Sequence, residues 1–66
     1  MNFAEQLKDL RAEKGISQMQ LARAIDVSQS AIAKYELNRT EPTASVIKKL
    51  MDYFGVSFEE LMGYDK

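Results

Sequence analysis

The stretch from Gln18 to Leu37, QMQLARAIDVSQSAIAKYEL, constrains the fold more than any other part of the chain. Leu21, Ala22 and Ile25 fall on one helical face, and Ile32 and Tyr35 fall on another a few residues later. Only Asp26-Val27 separates the two patterns, which is too tight for an ordinary loop. Ser17 is placed to cap the first helix, with Gln20 three residues on completing a capping box, and Ser28 is placed to cap the second. The spacing therefore predicts helices over about 18–25 and 29–36, crossing steeply. Ala22 is small enough for the closest approach, and Leu21, Ile25, Val27, Ile32 and Tyr35 share one core. A turn of this kind commonly needs a positive φ, which normally selects glycine; here Asp26 occupies it. Gln29, Ser30, Ala33 and Lys34 then look away from the core.

The rest of the chain reads as helices around this pair. Residues 2–14 place Phe3, Leu7 and Leu10 at helical spacing opposite Glu5, Lys8, Asp9 and Ala12, and Gly15 suits the end. LNRTEP, residues 37–42, is a loop in which Asn38 is best able to take the left-handed conformation. Thr43 caps a helix over about 44–54 with Ile47, Leu50, Met51 and Phe54 inward, ending at Gly55. Ser57 with Glu60 repeats the capping-box pattern before a last short helix carrying Phe58, Leu61 and Met62. The expectation is an all-α, five-helix bundle forming a single domain over 1–66, with a helix-turn-helix at about 18–37.

Composition narrows the function. At 66 residues a single domain buries only roughly 60% of its unfolded surface, so help from a second subunit is expected. The chain has no cysteine and no histidine, which removes the commonest thiolate and imidazole ligands and the commonest general base. Neither a catalytic site, a metal site nor a cofactor is expected, and no small-molecule ligand is evident. No apolar run approaches the roughly 20 residues that span a bilayer, and the amphipathic start is not a signal peptide, so a cytoplasmic location is expected. The formal net charge is −1, unevenly spread: residues 1–50 carry +2 and residues 51–66 carry −3. A weakly basic working face with an acidic end fits modest phosphate attraction.

Taken together, ISQMQLARAIDVSQSAIAKYE, the loop ending in Glu41-Pro42, and GVSFEEL resemble the Cro- and phage-repressor-like helix-turn-helix family, also called the XRE family, over residues 5–63. The resemblance implies a lambda-repressor-like fold, and a transcriptional regulator, most simply a repressor, that binds two-fold operator DNA as a homodimer with its third helix in the major groove. It places Gln29, Ser30 and Ala33 at base edges, where glutamine suits adenine and the alanine methyl suits thymine. It places Ser17, Gln18, Ser28, Lys34, Asn38, Arg39 and Thr40 near phosphate, and makes Arg11 and Glu36 a structural ion pair. Asp26 stands where the family usually has glycine, and Leu37-Asn38 where it usually has Asn-Gly. The apolar C-terminal residues Tyr53, Val56, Phe58, Met62 and Tyr64 are the expected dimer interface. Other readings stay open. Ser17 and Ser28 are caps first, Lys34, Arg39, Lys48 and Lys49 also suit a solvated face, and the last helix could simply close a monomeric core. The alternative function is a protein-interaction module, such as an antitoxin, whose main partner is another protein.

Overall fold

The computed structural model describes residues 3–64 as five helices, α1 (Phe3–Lys14), α2 (Gln18–Ala24), α3 (Gln29–Glu36), α4 (Ala44–Phe54) and α5 (Phe58–Met62), with no strand among them. Asn2, expected to open the first helix, and the charged Asp65 and Lys66 lie outside the described residues. The all-α, five-helix expectation holds.

Each of the last four helices starts on its own side-chain cap. The Ser17 hydroxyl accepts from the Gln20 N–H at 3.0 Å, and the Gln20 side chain accepts from the Ser17 N–H at 2.8 Å. Ser28 caps α3 through the Ala31 N–H, and Thr43 caps α4 through the Val46 N–H. Ser57 and Glu60 form the second reciprocal capping box. These bonds satisfy N–H groups that a helix start otherwise leaves orphaned.

All five helices run out into a left-handed residue: Gly15, Asp26, Asn38, Gly55 and Gly63. In every case the next N–H reaches back five residues, as from Val27 to the Ala22 carbonyl at 2.9 Å and from Arg39 to the Lys34 carbonyl at 2.9 Å. This satisfies carbonyls that the helix end would leave open. Two of the five positions hold a residue with a Cβ. Asp26 and Asn38 both sit at φ 58°, a conformation Asp and Asn tolerate better than other L-residues. Asp26→Gly relieves the remaining Cβ strain and is expected to stabilise the fold by about 0.5–1 kcal/mol. A thermal midpoint below that of the parent would contradict this account of the turn.

Leu7, Leu21, Ala22, Ile25, Ile32, Tyr35, Val46, Leu50 and Leu61 make one core, drawn from every helix. Ala22 on α2 is almost wholly buried within this core. Phe3 meets Tyr35 edge-on, ring centroids 5.9 Å apart, which holds α1 against α3. Val46 is an inner residue of α4 in addition to those its spacing suggested, and Gln6 is buried on α1. Ile25 closes α2 as its C-cap rather than extending it. Among the described residues no helix is long and apolar enough to cross a membrane, and no cluster of carboxylates is arranged to hold a metal ion.

Candidate nucleic-acid interface

Burial of Ile32, Tyr35 and Glu36 turns one face of α3 inward. The face left over begins in the first turn, where Gln29 and Ser30 are exposed, and continues to Lys34, also exposed. Ala33 is half-buried and has only its methyl group to offer. Because α3 is pinned along its inner face, these outer side chains project from a rigid rod rather than from a loop.

The pinning is partly ionic. The Arg11 guanidinium donates to both oxygens of Glu36, from Nε at 2.7 Å and from Nη2 at 3.0 Å. Arg11 also donates from Nη1 to the Ile16 carbonyl at 3.0 Å. One side chain thus joins α1, the α1–α2 connection and the end of α3. The side chains of Glu36 and Arg11 are 4% and 22% exposed, so water screens the pair weakly. Burial by itself pushes the Glu36 carboxyl up. Hydrogen bonds from Arg11 and Gln18, with attraction from Arg11 and Lys8, outweigh it and hold the group below the usual glutamate range. The same hydrogen bond to Glu36 holds Arg11 above its ordinary value against its own desolvation.

Gln18 is the side chain that sequence reasoning did not connect to this pair. Its Nε2 donates to Glu36 Oε1 at 3.0 Å, while its Oε1 accepts from Gln29 Nε2 at 3.5 Å, the outer edge of hydrogen-bonding range. Eighteen and eleven residues separate these partners, and no local pattern announces such a contact. Ser17 and Ser28 are exposed, and their oxygens serve as caps. Each hydroxyl proton is still available to a further acceptor. Asn38, Arg39 and Thr40 are exposed and line a shallow hollow together with Glu41. Leu37, at the end of α3, leaves 63% of its surface open. Lys48 and Lys49 are exposed on α4, with Lys48 paired to Asp52 at 3.2 Å.

The C-terminal apolar residues are divided in space. Phe58 and Tyr64 are 40% and 67% exposed and stack edge-on at 6.1 Å. Met62 and Tyr64 border a cleft with Phe3, Pro42 and Ile47. Tyr53 packs on Phe54 and lies under the Lys14 ammonium, 5.0 Å from the ring centroid. Val56 borders a separate cleft with Leu10, Glu13 and Lys14.

Comparison with known proteins agrees with this architecture. A helix-turn-helix family model matches residues 7–61. The HTH-type transcriptional activator BcrR of Enterococcus faecalis is 37% identical over 62 residues, which are 94% of this chain and 30% of BcrR. The chain therefore spans less than a third of that relative's length. A transcriptional regulator from Listeria innocua superposes with a TM-score of 0.87 at 35% identity, covering 94% of this chain and 58% of that one. The restriction-modification controller protein C.AhdI from Aeromonas hydrophila superposes with a TM-score of 0.83 at 28% identity, covering 91% of both chains. With α2, the Asp26 turn and α3 inside the matched span, the chain belongs to the Cro- and phage-repressor-like helix-turn-helix family of transcriptional regulators.

Proposed function

We propose that the chain binds duplex DNA sequence-specifically in the cytoplasm and represses transcription as a homodimer, with α3 in the major groove. The observation that carries this reading is the exposed first turn of α3, Gln29 and Ser30, on a helix whose opposite face is locked by Tyr35 and the Glu36 ion pair. Gln29, Ser30 and Ala33 face base edges. The Ser17 and Ser28 hydroxyls, the Gln18 amide, Lys34, and the 38–40 hollow take phosphates on either side. Lys34 and Arg39 are the main cations on this face, so phosphate neutralisation per subunit is small and a second subunit is needed for useful affinity. Phe58, Met62 and Tyr64 form the centre of the dimer contact, with Val56 and Tyr53 toward its edge. A two-fold pair then reads half-sites about one helical turn apart, roughly 34 Å.

Selection of bound sequences from random DNA at two salt concentrations tests the reading. A symmetric site with that spacing is expected; recovery of unrelated sequences would overturn it. Gln29→Ala is expected to cost about 1–3 kcal/mol at one base pair, whereas Lys34→Ala weakens all sequences alike and lowers the salt slope by about 1. Equal losses on selected and random DNA for Gln29→Ala would remove it from the base edge.

A further inference from the structure

Arg11, Glu36, Gln18 and Gln29 form one unbroken chain of polar contacts from α1 to the exposed turn of α3. The order of donors along it is forced by chemistry. Arginine only donates and a carboxylate only accepts. Glu36, held by Arg11, therefore offers Gln18 nothing but an acceptor, and the Gln18 NH2 must turn inward with its oxygen outward. That oxygen in turn draws the Gln29 NH2 toward it. An unrestrained glutamine amide presents either end with little difference in energy, whereas here Gln29 is left with its carbonyl and a single N–H facing out. Adenine shows one acceptor and one donor in the major groove and is matched by that pair; guanine shows two acceptors and is not.

We propose that Glu36 is a positioning residue for base recognition, fixing the Gln18 amide so that Gln29 presents one donor and one acceptor and selects adenine over guanine. The inference rests on the DNA-binding reading above, with Gln29 at a base edge. It gives Glu36 a role beyond setting the angle of α3, because a helix angle alone bears on every base and phosphate contact together.

The test uses the full chain and a selected operator carrying adenine or guanine at the one base pair where Gln29→Ala relaxes preference, with binding followed by fluorescence anisotropy. Arg11→Met with Glu36→Leu removes the carboxylate without stranding its partner's charge. The adenine-over-guanine preference is expected to fall about tenfold. Glu36→Gln keeps an acceptor in the Oε1 position and is expected to retain the preference. If the double variant proves unfolded by circular dichroism, Gln18→Met decides, because it breaks the chain of contacts and leaves the ion pair intact; the same tenfold loss is expected in a variant that circular dichroism shows to be folded. A folded double variant, or Gln18→Met, that keeps the parent preference and loses affinity uniformly overturns the inference. So does a folded Glu36→Gln that loses the preference. If Gln29→Ala relaxes no base pair, the base-edge assignment itself fails, and the inference falls with it.

Discussion

Ile32→Ala is expected to lower the thermal midpoint by about 10–30 °C. Ile32 is fully buried on the inner face of α3, where it packs in the core with Leu21, Ala22 and Ile25 of the α2 side. Truncating such a side chain costs about 2–5 kcal/mol in lost transfer energy and residual cavity. A 66-residue chain has only about 3–10 kcal/mol to lose, and each kcal/mol moves the midpoint of so small a domain by about 4–8 °C. Ile32→Val, which removes one methylene, is the control and should cost about 0.5–1.5 kcal/mol. On the proposed function, operator DNA binds only the folded state, so saturating DNA should raise the midpoint of Ile32→Ala by mass action. Circular dichroism melts with and without DNA read both effects. A midpoint within a few degrees of the parent would show that α3 is not anchored through this residue.

Arg11→Met is the second large effect. It takes two donors from a buried carboxylate and one from the Ile16 carbonyl, and the expected loss is about 2–4 kcal/mol. Most of that cost is Glu36 left buried and charged without its cation, so adding Glu36→Leu should recover much of it, a non-additivity that a double-mutant cycle measures directly. The same pair sets an acid limit. A carboxyl held low in the folded state contributes stability in full above its unfolded value and loses it as pH falls through the folded one. For Glu36 that window opens at the ordinary value of 4.5 and extends below it. The parent should therefore weaken across that range, while the Arg11→Met, Glu36→Leu double variant shows a flatter profile. Parallel pH profiles for the two proteins would mean the ion pair contributes nothing to acid sensitivity.

Most of the backbone was legible before any coordinates, because the signals that shape it are local. Ser17, Ser28, Thr43 and Ser57 each cap a helix through a residue three positions on, and such pairs stand side by side in the sequence. Asp26 and Asn38 are legible for a related reason, since few residues besides glycine accept a positive φ. The candidate interface was legible as a set of exposed positions and not as a set of contacts. Gln18 reads as a polar residue at a helix start, placed near phosphate by the resemblance, and only the packing of α2 on α3 brings Glu36 and Gln29 to its two ends. The C-terminal apolar residues read as a single patch because they are close in sequence. In space, Tyr53 on α4 lies against Lys14 of α1, while Phe58 pairs with Tyr64 across α5. Burial of Gln6 had no sequence signal, as a glutamine on a short amphipathic helix ordinarily faces water.

The capped starts and left-handed ends of these short helices also bear on how fast the molecule forms. Every one of those bonds closes a ring of three to five residues, so little chain must be searched before a helix is bounded at both ends. Helical domains dominated by local contacts fold in microseconds to milliseconds. An excursion to the open chain is therefore brief, and a protease competing with reclosure meets only the equilibrium fraction of open molecules. The abundance of this protein in a cell should follow its stability rather than its unfolding rate, and core variants such as Ile32→Ala should be depleted in proportion to their lost free energy.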